Sequence, residues 1–253
     1  MRLASFNALH GLRPGDDAAD PSRWPDVVAA LDADVLALQE VDRAQPRSGG
    51  VDMTAVAADA LGATDARFVP TLLGRPGRWR DARDPGADGP AHGIALLSRH
   101  PVTEWRTVAL PQRAGRTWVR GAGRLLPRPH RDRPRHALVA VVDSPVGAVT
   151  VVATHLTYLR GQNVAQLRHL VAATADLPRP LVLLGDLNVG PSTATGITGW
   201  TALVTAPTYP SHGPTVQIDH ALVDGPLRAV TPGRAVDTGL SDHRALVVDV
   251  TQA

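Results

Sequence analysis

The segment Gly185-Asp186-Leu187-Asn188 follows the apolar run Leu181-Val182-Leu183-Leu184, so an acid and an amide stand where a buried strand ends. Ile218-Asp219-His220 and Ser241-Asp242-His243 each precede another apolar run, Leu38-Gln39-Glu40-Val41 ends a third, and Asn7 closes the first. Carboxylates, amides and imidazoles at strand ends suit metal-assisted hydrolysis of a phosphate ester, and a packed core has no use for them. Glu40 is one of only two glutamates. A lone carboxylate completed by amides and waters suits Mg²⁺ or Mn²⁺, which favour oxygen and keep much of their hydration. Asn7 supplies a neutral oxygen for such an ion. Asp186 and Asn188 are two apart, so in an extended segment both side chains face one way. The acid would orient or deprotonate water and the amide would contact a phosphate oxygen. Asp219 beside Asp242-His243 suggests an imidazole held in one tautomer by a buried carboxylate. His155 is placed to protonate a leaving oxygen or bond a phosphate. Taken singly, each residue also has a structural reading: a strand-end ion pair for Glu40, turns for Asn7 and for Asp186-Asn188, and a core histidine for His155.

The elements that must position these groups follow from hydrophobic patterning. Apolar runs bounded by turn residues predict strands at 2–7, 35–39, 93–98, 137–142, 149–154, 181–184, 218–223 and 245–250. Several are apolar throughout, as expected of strands covered on both faces. Helices are expected at 23–31 with Ser22 as cap, at 52–61 ending at Gly62, and at 164–175 with Val164, Leu167, Leu170 and Val171 on one stripe. Residues 75–91 and 112–134, rich in Gly, Pro and Arg, read as long surface loops. The two halves echo each other: DVLALQE at 34–40 resembles PLVLLGDLN at 180–188, HGIALLSRHPV at 92–102 resembles QIDHALVDGPL at 217–227, and RHALVAVV at 135–142 resembles HRALVVDV at 243–250. No linker divides the 253 residues, so one domain is expected.

Composition narrows the partners. There is no cysteine, which excludes disulfides, thiolate metal sites and a cysteine nucleophile. No run reaches membrane-spanning length, and residues 1–7 read as a strand instead of an export signal, so a cytoplasmic location is the default. The pI of 9.8 overstates basicity, since net charge is only +2 and no lysine titrates between histidine and arginine. Distribution says more. Residues 113–136 hold eight arginines against one acid, Asp132, while the remainder holds 18 arginines and 23 acids. That asymmetry fits either a polyanion-facing surface or a solvated loop. A monomer is the expected state.

FN at 6–7, LQEV at 38–41, GIALLSRHP at 93–101, THL at 154–156, GDLN at 185–188, IDH at 218–220 and SDH at 241–243 resemble, in order, the endonuclease/exonuclease/phosphatase superfamily of DNase I-like proteins. The resemblance implies an α/β fold, a four-layer α/β sandwich of two packed mixed β-sheets flanked by helices. It implies a Mg²⁺- or Mn²⁺-dependent hydrolase with Glu40 as main metal ligand and Asn7 and Asp242 close to the metal. Asp186 would position the attacking water, Asn188 would hold the phosphate, and His243, oriented by Asp219, would sit against it. His155 matches the histidine of the DNase-like and sphingomyelinase branches, where abasic endonucleases usually carry tyrosine. Arg135 matches a phosphate-contacting arginine, with Arg133 nearly as good a fit. The glutamate that orients the first histidine in DNase-like members has no counterpart, since Glu104 is misplaced, leaving Asp52, Asp65 or nothing. Implied substrates are phosphate esters: a nuclease or phosphodiesterase first, a phosphomonoesterase or phospholipase-C-like enzyme of inositol phosphates or sphingomyelin-type head groups second. A non-catalytic binding module comes last.

Overall fold

Every residue from Val35 to Leu38 is apolar and buried, yet the four divide between two destinations. Val35 and Ala37 join a core with Leu138, Val151 and Val182, whereas Leu36 and Leu38 pack with Trp24, Val28 and Met53. A strand with period two and no polar face must be covered on both sides, and that requirement builds the fold. In a computed structural model, which describes residues 1–119 and 128–253, the chain forms β1 (Arg2–Asn7), β2 (Val35–Arg43), β3 (Asp65–Leu73), β4 (Arg80–Asp81), β5 (Ala91–Ser98), β6 (Val102–Ala109), β7 (Arg116–Val119), β8 (Arg128–Arg131), β9 (His136–Ser144), β10 (Gly147–His155), β11 (Leu181–Asp186), β12 (Thr201–Ala202), β13 (Asp219–Asp224), β14 (Leu227–Ala229), β15 (Arg234–Val236) and β16 (Ala245–Gln252). One mixed sheet has the order β14-β16-β1-β2-β5-β3-β4, with β15 also on β16, and the other has the order β12-β13-β11-β10-β9-β6. Their inner faces make the central core. Helices α1 (Trp24–Leu31) and α2 (Met53–Leu61) cover the first sheet, while α3 (Gln162–Ala173) and α4 (Pro191–Thr198) cover the second, giving the expected four layers.

The echo between halves has a structural counterpart. Each sheet is built on a parallel pair, β1 with β2 and β10 with β11. Each pair is flanked by antiparallel neighbours, β16 and β5 in one sheet and β9 and β13 in the other. The matched sequences occupy the matched strands.

Four expectations need correction. The strand expected to stop at Gln39 continues to Arg43 through a bulge. Ser22 does not cap the first helix; Asp20 accepts from the Ser22 amide ahead of a short 3₁₀ turn that leads into α1. Residues 75–91 and 112–134 are not wholly loop, since β4 and the β7–β8 ribbon lie within them. Strands β3 and β6 and helix α4 went unread because exposed polar positions or small residues break their patterns. Gly185 shows why its position tolerates no side chain: at φ 154° a Cβ would collide with the Thr154 carbonyl oxygen of the parallel neighbour.

Candidate active site

Strand register alone sets up the first half of the site. His155 pairs with Asp186 across β10 and β11, and Asp186 pairs with Asp219 across β11 and β13. One imidazole and two carboxylates therefore lie in a row across three adjacent strands. The other sheet closes over this row. Asn7, at the end of β1, donates its side-chain amide to Asp186 Oδ2 at 3.2 Å. Ser241, in the left-handed region at φ 68°, donates its hydroxyl to the Asn7 carbonyl and accepts from the His243 amide at 3.1 Å. That turn swings His243 into the gap.

His243 Nδ1 meets Asp219 Oδ2 at 2.9 Å, which fixes a proton on Nδ1. Its Nε2 points the other way, 3.9 Å from Asp186 Oδ2 and 4.0 Å from Asp242 Oδ1. Burial works against charge on this ring, but the Asp219 hydrogen bond and the surrounding carboxylates outweigh it and push its pKa up to about 9. Asp186 is pushed upward, by burial first and by Asp219 second. A buried carboxylate that resists ionisation is a stronger base once ionised, which suits removal of a proton from water. His155 Nε2 lies 3.4 Å from Asp186 Oδ2, and burial, reinforced by Arg135 and His243, holds the ring neutral.

The His243–Asp219 pair also gives a stability signature. Folding raises the His243 pKa from its ordinary 6.5 to about 9, so the stabilisation is complete below pH 6.5 and disappears as pH rises through 9. The predicted loss is about 3 kcal/mol. Urea midpoints at pH 6.5 and 9.5, taken with chelator present, should fall steeply for the native protein. They should fall much less for Asp219→Asn.

Glu40 reaches the site through the bulge. The β2–β5 register shifts between Gln39 and Val41, leaving Glu40 unpaired at φ 56°. Gln39 is the register partner of Asn7, so the bulge re-aims the glutamate beside the end of β1. Its charge is felt by Asp242 and by Arg135. Asp242 is held toward its neutral form by burial, with Glu40 adding to the effect. Two carboxylates that crowd each other beside an amide, each with part of its surface open, form an oxygen donor set suited to a hard divalent cation. Asp186, Asp219 and His243 also bring one ligand atom each within 4.8 Å of one another. Asp186 Oδ2 accepts from Asn7 and Asp219 Oδ2 pairs with His243 Nδ1, while Asp219 Oδ1 is buried with no partner among the described residues; the half-exposed Glu40–Asp242 side is the more open of the two to a hydrated ion.

Arg135, not Arg133, lies at the site: its Nη1 approaches the His155 carbonyl at 3.4 Å and its buried Nε has no partner among the described residues. Arg131 and Arg133 instead bind Asp81 at 2.7 and 3.3 Å. Arg120 and Arg124 of the basic segment lie outside the described residues. Asn188 corrects the extended-segment reading. It sits at φ 52°, its backbone amide bonds Asp186 Oδ1 at 2.9 Å, and its side chain donates to the Leu156 carbonyl at 3.0 Å, leaving one amide proton for a phosphate. Neither substitute acid orients His155, because Asp52 caps α2 and Asp65 accepts from the Val102 amide. Glu104 is exposed on β6. Sequence reasoning missed Ser241 as the tie between the two sheets. It also missed Asp42, Arg47 and His92, whose hydrogen-bonded cluster lies beside the site. The signal available for Asp42 and His92 was a polar residue inside the apolar strands β2 and β5; Arg47, in the turn after β2, gave none.

A family model described as "Endonuclease/Exonuclease/phosphatase family" matches residues 4–243. No curated protein sequence matches the chain. Among solved structures, an endonuclease/exonuclease/phosphatase from Beutenbergia cavernae DSM 12333 aligns over 100% of this chain and 72% of its own, with 24% identity and a TM-score of 0.73. A mannosyl-6-phosphatase from Bacteroides thetaiotaomicron VPI-5482 aligns over 99% of both chains with 16% identity and a TM-score of 0.63. Sphingomyelinase C from Streptomyces griseocarneus aligns over 98% of both chains with 15% identity and a TM-score of 0.62. At these identities the likeness is one of fold.

Proposed function

The chain belongs to the endonuclease/exonuclease/phosphatase family, and from that membership and the site geometry we propose that it is a Mg²⁺- or Mn²⁺-dependent phosphoester hydrolase. The carrying observation is the meeting of Asn7, His155, Asp186, Asp219 and His243 at one rim, from both sheets and both ends of the chain. Asp186, held by Asn7 and by the Asn188 amide, orients water and takes its proton. His243, kept cationic by Asp219, and the free proton of Asn188 donate hydrogen bonds to the phosphate as negative charge grows. Neutral His155, at the end of the neighbouring strand β10, and the buried Arg135, just before β9, hold the phosphate. Glu40, with Asn7 and Asp242, would hold the metal, which supplies Lewis-acid stabilisation of the phosphate oxygens when bound.

A phosphodiesterase or nuclease is the first reading. It is supported by a cavity of about 540 Å³ lined by Arg113, Arg116 and Arg131, a suitable seat for a polyanion. A hydrolase of small phosphomonoesters or head groups is the second. It is favoured by Asp81, which takes up the charges of Arg131 and Arg133, and by the sugar phosphatase among the structural relatives. We propose a monomer. Among the described residues no helix is long and apolar enough to cross a membrane. Hydrolysis of bis(4-nitrophenyl) phosphate tests the proposal. It should vanish after chelation and return with Mg²⁺ or Mn²⁺; unchanged turnover in chelator would refute it.

A further inference from the structure

One hydrogen bond does not aim an imidazole. The torsion that turns a histidine ring is soft, so the ring's plane is set by what touches it. Asp219 holds His243 at Nδ1 alone, and the ring can still swing about that bond. Its Nε2 lies 3.9 Å from Asp186 and 4.0 Å from Asp242, separations too long for hydrogen bonds that would stop the swing. A ring that must donate to one phosphate oxygen needs a second restraint.

Tyr209 supplies a contact of that kind. Its ring centroid is 5.0 Å from that of His243, with the planes tilted by 53°, the geometry of a packed aromatic pair. Among the described residues no other aromatic ring packs on His243. Tyr209 is 36% exposed, and its hydroxyl makes no hydrogen bond among the described residues. The ring, and not the hydroxyl, is therefore what the site can use.

Backbone bonds fix where Tyr209 stands relative to His243. Tyr209 pairs with Val216, with amide-to-carbonyl distances of 3.0 and 3.1 Å. On one side of it the Thr208 carbonyl accepts from the Arg244 amide at 2.8 Å, and the Thr208 hydroxyl oxygen lies 3.4 Å from the Ile218 and Asp219 amides. On the other side the Ser211 amide donates to the Asp242 carbonyl at 2.7 Å, and the Ser211 hydroxyl donates to the Ser241 carbonyl at 2.9 Å. The segment is thus tied to residues 241, 242 and 244, which flank His243, and to the strand end that carries Asp219. Tyr209 and the His243–Asp219 pair are held as one unit.

We propose that Tyr209 is a positioning residue of the hydrolase: its ring limits the swing of His243 about the Asp219 bond and so keeps Nε2 aimed at the phosphate. In this role it touches neither phosphate nor metal and acts through His243. The inference rests on the hydrolase reading and adds a residue to it. Misaiming a group whose bond strengthens only in the transition state lowers kcat and kcat/KM together and leaves KM nearly unchanged.

The test is hydrolysis of bis(4-nitrophenyl) phosphate in saturating Mg²⁺, with kcat expressed per folded protein from melting of the same preparation. Tyr209→Leu keeps apolar bulk without a flat ring, and Tyr209→Phe keeps the ring. Tyr209→Leu should lose about tenfold in kcat with KM within about twofold of native, and Tyr209→Phe should recover most of that loss. Introduced into His243→Ala, the same leucine substitution should cost about twofold or less, because the residue it acts through is gone. The His243 ring-proton resonances, assigned by their disappearance in His243→Ala, should move in Tyr209→Leu and stay near their native positions in Tyr209→Phe. A kcat within about twofold of native in Tyr209→Leu, a loss confined to KM, or an undiminished loss in the His243→Ala background overturns the positioning role. Metal-dependent dye cleavage by the native protein leaves the hydrolase reading intact in each of those cases, whereas its absence overturns both.

Discussion

Asp186→Asn is expected to lower kcat by about 10²–10⁴ while the protein melts within a few degrees of the native chain. Two features of the site separate activity from stability here. Asparagine keeps an oxygen to accept the Asn188 amide, which bonds Asp186 Oδ1 at 2.9 Å, and it preserves side-chain volume in a site only 2% exposed. The carboxylate it replaces is costly to the fold. Burial and Asp219 raise its pKa, so above the ordinary carboxylate range its ionised form is held at a disadvantage that the amide does not share. What disappears is the carboxylate that is bonded to both Asn7 and Asn188 and is proposed to take the proton from water. Steady-state kinetics in Mg²⁺ beside thermal melting of the same preparation checks both halves. A variant that loses activity only in proportion to its folded fraction would contradict the assignment.

Glu40→Gln carries the second large effect. The side chain sits on a bulge at φ 56°, a backbone position that costs about 1–3 kcal/mol for a non-glycine residue and that strand pairing alone does not need. The strain brings its charge against Asp242, whose ionisation it opposes. Neutralising Glu40 relieves that crowding, so the metal-free variant should be at least as stable as the native protein. Its affinity for Mn²⁺ should fall by more than about 100-fold and its turnover by about 10³ or more, since the metal's charge stabilisation is lost. Calorimetric titration with Mn²⁺ measures the first effect and dye hydrolysis the second. Native-like Mn²⁺ affinity would remove Glu40 from the donor set.

The fold was largely legible because its strands are apolar on both sides. Runs such as Leu181–Leu184 declare a two-sided burial, and the matched order of motifs declared two similar halves. Site residues were legible where they end such runs: Asn7, Asp186 and Asp219 lie at strand termini, and register does the rest. Illegible features depended on contacts distant in sequence or on backbone geometry. Asn188 was expected to extend alongside Asp186, but a left-handed turn separates them. The Glu40 bulge lies where the apolar run of β2 gives way to Gln39-Glu40-Val41-Asp42-Arg43, which reads as the end of the strand, and a period-two pattern does not reveal an added residue. Arg133 and Arg135 were inseparable in sequence because only Asp81, about fifty residues away on β4, diverts the former. Ser241, a small polar residue before an acid, gave no hint that it ties the last strand's turn to the end of the first.

The central claim is that carboxylates from opposite ends of the chain share one divalent cation at the rim between the sheets. Anomalous diffraction from crystals grown with Mn²⁺ tests it most directly. One strong peak is expected at about 2.0–2.3 Å from a Glu40 carboxylate oxygen, with Asn7 and Asp242 in its first or water-mediated shell. A peak held instead by Asp186, Asp219 and His243, or none within reach of Glu40 at saturating Mn²⁺, would contradict it.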